Sequence, residues 1–585
     1  MLKGWIKAVT WILLWFSLTD VVIGAHAATS RLICQIQGVG SASPYDGDTV
    51  TTQGVVFADF DNAGKKGFYI QDENCDGDAN TSDGIFVYLG VSALVVDVGD
   101  LVEVTGTVNE YYGLTEIMAD PVNVSLISDG NPLPTPVDLN PPFDDLQSLA
   151  YFESLEGMYV DLADANVVGP TNSSDETWVV RSDLGISRVF RDDTIGTGER
   201  ICVDDSGHFE ITPEARVGDQ ILGLIGVMDY AYGLYRFQLL ASPTLIPVSA
   251  SFERVRESAS PPITFGTFNL ENLFDTVDDP LTEDTILTNT AYQRKLEKLA
   301  LAIHTEMDEP AILAVQEAEN STVLTDLIHR SEIIGSYDFI LVEGADSRGI
   351  DVALLYSTDF VEVTAYEQRQ GCTTLVDGLG PDGNGDVLNP SNEITCDTDQ
   401  NGSNDGNRLF SRPPLEVELS VDIDGRDEII FVIVNHWKSK GEDTSDVQYT
   451  LPRRIIQAQF VAGLAQEILT ANPGANVAVL GDLNDYADSL PLQELENTGL
   501  TNLLPHVQKS QRYTYIYEGV SQVLDHALVS PALLNWVVPS VVHFNADYPY
   551  SYRSQSGTPI RSSDHDPVLV DYQILEEIYI PLVRR

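Results

Sequence analysis

The chain has 585 residues, 89 of them acidic and 32 basic, for a formal net charge of −57. That length exceeds one ordinary domain and points to about three or four, while 43% hydrophobic and 9% aromatic content excludes a chain disordered throughout. The charge excludes a passive polyanion binder. It does not exclude an enzyme acting on a polyanion, because bound divalent cations and a few local Arg or Lys reverse the field within one cleft.

Residues 1–27 read as a signal peptide. Lys3 and Lys7 make a basic start, residues 8–18 are largely apolar, and Ala25-His26-Ala27 supplies a small-residue cleavage site. The apolar run is short for a membrane span and is broken by Ser17, Thr19 and Asp20. The expectation is a protein secreted or held at the cell surface. Residues 28–130 carry short alternating segments at 49–56, 84–88 and 101–108. The turns Tyr45-Asp46-Gly47-Asp48 and Val98-Gly99-Asp100 separate them, as in a small β-barrel. A Pro-rich seam at 131–136 follows. Residues 146–247 echo the pattern in Glu156-Gly157-Met158-Tyr159-Val160 and at 218–227, so two OB-like all-β modules are expected.

Ala259-Ser260-Pro261-Pro262 introduces the third piece, residues 262–575. Leu296, Leu299, Ala300 and Ile303 have helical spacing, as do Ile455, Ile456, Phe460, Leu464 and Ile468. Continuous apolar runs at 311–315 and 476–480 follow them and predict strands buried on both faces. The expected class is α+β: a four-layer α/β/β/α two-sheet sandwich behind two all-β OB-like modules, ending in a short tail at 576–585. Of five cysteines, Cys372 and Cys396 flank an insertion rich in Gly, Asp and Asn and are the expected disulfide. Cys34 and Cys75 are a second candidate pair, which leaves Cys202 free.

Six short polar motifs each end an apolar run of the third piece. They are Thr267-Phe268-Asn269, Val315-Gln316-Glu317, Val434-Asn435-His436-Trp437, Gly481-Asp482-Leu483-Asn484-Asp485, Leu524-Asp525-His526 and Ser563-Asp564-His565-Asp566-Pro567. Any one alone reads as a turn or a satisfied core residue. Six in one order gather carboxylates, amides and imidazoles at one edge of a sandwich, which suits metal-assisted phosphodiester hydrolysis. Glu317 is the strongest candidate ligand for magnesium, which prefers oxygen donors. Asn269 can hold a water, a phosphate oxygen or the metal. Asp482 and Asn484, two apart, point to one face. His436 and His565 each need a carboxylate to orient the ring, and Asp351 and Asp525 are available.

On these motifs the third piece resembles the endonuclease/exonuclease/phosphatase superfamily, which includes deoxyribonuclease-I-like nucleases, sphingomyelinases and inositol polyphosphate phosphatases. The whole chain resembles secreted bacterial deoxyribonucleases that place OB-like modules before this domain. The resemblance implies a metal at Glu317 with Asn269 and Asp564 nearby, magnesium or manganese being the expected ion. It implies that Asp525 orients His565, that Asp482 and Asn484 flank the scissile phosphate, and that Asp351 supports His436. Arg412, Arg348 and Asn272 fall on substrate-phosphate positions. The implied activity is hydrolysis of extracellular DNA, with RNA as a further substrate. A sphingomyelinase or phosphatase on the same scaffold is the first alternative and a non-catalytic surface binding protein the second. The insertion at 377–406 departs from small family members. Asp397-Thr398-Asp399-Gln400-Asn401-Gly402 opens like a calcium loop, yet Arg408 stands at position twelve, so an EF-hand is rejected. A looser structural calcium site and a solvated acidic loop are the two readings left for it, and for Asp72, Asn74, Asp76, Asp78 and Asp83.

Overall fold

The computed structural model describes residues 28–60, 65–91, 96–204, 211, 214–248, 263–375, 395–399, 401–423, 425–444 and 447–572. The expected signal peptide, the seam at 259–262, most of the insertion and the expected C-terminal tail lie outside the described residues. The chain divides into two compact units at Pro134/Thr135, within the Pro-rich seam.

In the first unit, five strands close into a barrel: Thr49–Asp59, Gly67–Gln71, Gly84–Tyr88, Leu101–Tyr111 and Leu114–Met118. Numbered one to five in that order, they run 1-2-3-5-4, and strand 4 returns to strand 1. The 3–5 pair is parallel. Their alternation places Val50, Val56, Phe68, Ile70, Val102 and Val104 inside. A disulfide joins Cys34 to Cys75.

The second unit opens with a barrel of the same order. Its strands are Tyr159–Gly169, Glu176–Arg181, Ile201–Asp204, Gln220–Ala231 and Leu234–Leu239, again with a parallel 3–5 pair and closure of strand 4 on strand 1. Cys202 lies buried on its third strand with a free thiol. Two six-stranded sheets follow. The first runs Tyr337–Leu341, Asp351–Ser357, Ile312–Ala318, Ile263–Leu273, Val568–Tyr572, Val537–Val541. The second runs Val361–Gln368, Leu415–Ile423, Arg426–His436, Asn476–Asp482, Asp525–Val529, Thr501–Asn502. Phe265, Ile312 and Leu354 of one sheet meet Val417, Val432 and Leu480 of the other in a common core. Helices Asn289–Leu301 and Ser321–Ile328 cover the outer face of the first sheet. Helices Leu451–Ala471 and Leu490–Glu496 cover the outer face of the second. The four α/β/β/α layers are those the residue pattern predicts. The second disulfide, Cys372–Cys396, brackets the insertion.

Register puts the motifs together. Asn269 lies opposite Gln316, beside Glu317, in the parallel pair at the centre of the first sheet. In the second sheet His436 lies opposite Asp482, and Asp482 opposite Asp525. Gly481 makes this register possible. Its φ is 147°, and a Cβ there would lie 2.0 Å from the Asn435 carbonyl oxygen. Gly481→Ala is therefore expected to cost at least about 3 kcal/mol, read as a fall in the thermal unfolding midpoint; an unchanged midpoint would contradict the close approach.

Candidate active site

The carboxylate of Asp482 is the point where the two sheets exchange polar contacts. Its Oδ1 accepts the Asn484 backbone N–H at 2.9 Å. Its Oδ2 accepts the Asn269 side-chain amide at 3.2 Å, a bond that crosses from one sheet to the other. The same Oδ2 lies 3.6 Å from His436 Nε2 and 4.0 Å from His565 Nε2. His436 Nε2 is also 3.7 Å from Glu317 Oε1. His565 is held from behind, because its Nδ1 stands 2.7 Å from Asp525 Oδ2. Asn484 turns its amide to the Trp437 carbonyl oxygen at 3.2 Å.

Backbone strain marks the same place. Glu271, Asn272, Glu317 and Asn484 are non-glycine residues at φ of 52°, 50°, 63° and 50°. Left-handed backbone costs an ordinary residue about 1–2 kcal/mol, and such strain concentrates where a side chain must be aimed for function. Glu317 in this conformation turns its carboxylate off the strand end, where Oε2 accepts the Asn272 N–H at 2.8 Å.

The closing motif is bound as a framework. Asn545 Oδ1 accepts the N–H of Ser562 and its Nδ2 donates to the His565 carbonyl oxygen, at 2.9 and 2.7 Å. Ser563 Oγ donates to the Asn269 carbonyl oxygen at 2.7 Å, tying the motif to the first sheet. Asp566 accepts the N–H groups of Phe544 and Asn545 and faces His543 Nδ1 at 2.8 Å. The ring of Tyr515 packs on His565 with centroids 4.8 Å apart.

Charge is unevenly placed. Burial, reinforced by Asp564, raises the Glu317 carboxyl above its ordinary value. Burial pushes Asp482 up to about 7 against the pull of His565. Burial, with the nearby charges of Arg412 and Arg348, depresses His436. Burial works against the His565 cation too, but Asp525, Asp564 and Asp482 outweigh it and lift His565 well above the usual imidazole range. Against the push of burial, His565, Arg561 and Lys295 hold Asp564 low.

One expected pairing is not formed. Asp351 does not support His436: its Oδ1 accepts the Gly344 N–H at 2.7 Å, and burial beside Glu343 pushes it up to about 8. The strand Asp351–Ser357 begins hard against that segment, where a Cβ on Gly344 would lie 2.4 Å from Asp351 Oδ1. His436 Nδ1 has no hydrogen-bond partner among the described residues, and the carboxylates facing its ring are Glu317 and Asp482. Arg412 is buried, salt-bridged to Asp346 and bonded to the Trp437 carbonyl oxygen at 3.1 Å. Arg348 Nη1 donates to Asn272 Oδ1 at 3.3 Å and its Nε lies 3.4 Å from Asp346. Asp346 and Tyr515 were not among the sequence candidates. Asp346 had a signal, since it stands two residues before Arg348, whereas Tyr515 had none.

Glu317 and Asp564 suit a divalent cation. Both are carboxylates, the charge of Asp564 acts on Glu317, and hard oxygen donors are what magnesium or manganese takes. In the insertion, Asp397, Asp399 and Asp405 come within 4.8 Å of one another. There Asp397 accepts the N–H groups of Asn401 and Gly402, and Asp405 that of Thr398, so these carboxylates already serve as turn acceptors.

Residues 264–377 and 403–546 match the profile of the endonuclease/exonuclease/phosphatase family. The match falls on the sandwich domain, which is similar to that family over these residues. Residues 125–250 match a domain of unknown function, DUF8508. No curated protein matches the chain in sequence. Among solved structures, an endonuclease/exonuclease/phosphatase protein of Bacteroides vulgatus is 16% identical, covering 54% of this chain and 99% of its own at a TM-score of 0.33. Truncated TDP2 of Caenorhabditis elegans is 16% identical, covering 53% and 98% at 0.32. The human Nocturnin catalytic domain, with bound sulfate, is 14% identical, covering 54% and 96% at 0.32.

Asp525→Asn keeps the size of the side chain and removes the charge that orients His565. Hydrolysis of bis(p-nitrophenyl) phosphate is expected to fall about 10²–10⁴-fold, with the unfolding midpoint retained. Full activity in this variant would break the assignment of the pair.

Proposed function

We propose that the chain is a secreted, divalent-metal-dependent nuclease that hydrolyses phosphodiester bonds of extracellular DNA, and of RNA as well. The observation that carries the substrate is the lining of the catalytic cavity, about 900 Å³ in volume. Beyond Glu317, His436, Asp482 and His565 it is bordered by Arg348, Arg412, Lys438, Lys440 and Arg453, and by Tyr486, Tyr515 and Tyr517. With Asp443 and Glu518 also on its border, five cations face four acids there, in a chain with 32 basic and 89 acidic residues. Guanidinium and ammonium groups meet phosphate, and tyrosine rings accept stacked bases. A sphingolipid tail would call for a continuous apolar wall, and these side chains are polar at their tips. The two five-stranded barrels, with their 1-2-3-5-4 order, are read as OB-like modules, a fold that commonly holds oligonucleotides.

A cation held by Glu317 and Asp564, with Asn269 beside them, would neutralise phosphate charge and lower the pKa of water. The chain's own groups supply the rest. With His565 Nδ1 committed to Asp525, only Nε2 is left to exchange a proton, and it faces Asp482 Oδ2. Proton transfer between the attacking water and the protein therefore passes through one of these two atoms. His436 borders the same oxygen of Asp482 and Asn484 bonds the other through its backbone N–H, and the side chains of both line the cavity where they can donate to the phosphoryl oxygens. Arg348 and Arg412 add fixed positive charge, and Asn272 positions Arg348. Among the described residues no helix is long and apolar enough to cross a membrane; secretion rests on the N-terminal 27 residues and is supported by the two disulfides.

The test is incubation of mature protein, residues 28–585, with supercoiled plasmid and with sphingomyelin, each with magnesium, with manganese and with chelator. Metal-dependent nicking of plasmid with no lipid hydrolysis is expected. Lipid hydrolysis alone would replace the substrate, and silence on both would favour a phosphatase or a binding protein.

A further inference from the structure

The second barrel does not merely precede the catalytic domain; it braces a hairpin that lines the cleft. Its strand Val189–Phe190 adds in parallel to the hairpin formed by Tyr515–Tyr517 and Val520–Gln522, with Val189 opposite Val520. Arg188 fixes the join. Its Nη2 lies 2.8 and 3.0 Å from the two oxygens of Asp547, its Nη1 donates to Ser521 Oγ at 2.9 Å, and its guanidinium sits 3.8 Å over the Tyr513 ring. Gly169 of the barrel approaches Gly519 at the hairpin tip so closely that a Cβ on Gly169 would lie 2.7 Å from its Cα. The hairpin so held is the one whose Tyr515 packs on His565.

Beside this join is a cavity of about 330 Å³, bordered by Thr197, Arg191 and Arg200 of the barrel and by Tyr486, Tyr517 and Gln522 of the catalytic domain. Tyr486, Tyr517 and Gln522 also border the catalytic cavity, so the two spaces adjoin. Over the Tyr486 ring lie two cations, one from each domain: Arg191 at 3.9 Å and Lys440 at 4.5 Å from its centroid. Arg200 bonds the carbonyl oxygens of Thr197 and Glu518. Three acids also border it: Asp193 pairs with Lys509 at 2.9 Å, Asp145 accepts from Thr197 Oγ1 at 2.9 Å, and Glu518 stands beside Tyr517. Arg191 reaches Asp488 at 2.6 Å, but both side chains are open to solvent, 38% and 69% exposed. Such a pair contributes little and exchanges partners readily.

We propose that this interdomain cavity is a second nucleotide subsite, which takes the phosphate and base of a unit neighbouring the one being cut. Arg191, stacked on Tyr486, meets the phosphate, and the exposed Tyr517 ring meets the base. The inference rests on the nuclease reading and adds that the barrel supplies part of the substrate grip. The volume sits at the small end of ligand pockets, about 300–1,000 Å³, which suits one nucleotide. A substrate with a single phosphodiester fills the catalytic cavity only; an oligonucleotide reaches both.

The full mature chain and its Arg191→Ala and Arg191→Lys variants are assayed with magnesium on bis(p-nitrophenyl) phosphate and on a 12-nucleotide single strand, at several salt concentrations. The expected result is a loss of kcat/KM in Arg191→Ala about tenfold larger on the 12-mer than on the small diester, partly restored in Arg191→Lys. The dependence of log kcat/KM on log salt for the 12-mer should become shallower by about 0.7–0.9. Equal losses on both substrates, or no loss on either, with wild type cutting the 12-mer, would overturn the subsite and leave the nuclease intact. Wild type that cuts the small diester and no polynucleotide would overturn the nuclease reading itself, and the subsite with it.

Discussion

One carboxylate oxygen organises this site. Asp482 Oδ2 receives the Asn269 amide from the opposite sheet and stands within 4.0 Å of both His436 and His565. A buried carboxylate is costly unless its lone pairs are used, and here the partners come from the ends of strands in both sheets. The requirement propagates outward. Asp482 must leave its strand beside His436, so residue 481 must be glycine. Asn484 and Glu317 must turn their side chains inward, and both adopt left-handed backbone to do so. Asp525 must sit directly across from Asp482 to reach the far side of His565. The surrounding apolar core between the sheets makes this arrangement stiff, because the strand ends cannot shift without opening it.

Much of this was legible in the sequence, for a physical reason. A buried strand announces itself as an apolar run, and a polar cluster ending such a run must lie at the sheet's edge. Six such clusters therefore carried the position of Asn269, Glu317, His436, Asp482, Asp525 and His565 before any geometry was known. The disulfides were legible because Cys372 and Cys396 bracket an insertion and Cys34 and Cys75 share a module. What was not legible depends on contacts between segments distant in the chain. Asp351 sits on the expected strand, but the segment at 343–346 folds over its carboxylate and removes it from His436. Asp346 stands two residues before Arg348, but its hold on Arg412 appears only when the two loops meet. The union of Val189–Phe190 with Val520–Gln522 joins segments more than three hundred residues apart, and short strands of that kind have no signature of their own.

The acidity of the chain and the basic lining of its cleft are parts of one design. Acidic side chains over the surface keep the protein soluble, while Arg348, Arg412, Lys438, Lys440 and Arg453 are gathered where an anion would bind. Arg412 is held by Asp346 and the Trp437 carbonyl, so this buried guanidinium is positioned in advance and loses little freedom on binding. The second barrel brings Arg191 and Arg200 to the cavity that adjoins this cleft.

The measurement that tests the account most directly is the nicking rate of Asp482→Asn on supercoiled plasmid with magnesium, alongside its thermal unfolding. The near-isosteric amide keeps an acceptor for the Asn484 N–H and replaces the shared anionic oxygen. A folded protein whose rate has dropped by about 10³-fold or more is the result the account predicts. A folded variant that nicks at the wild-type rate would contradict it, because no other group in the site touches all of the same partners.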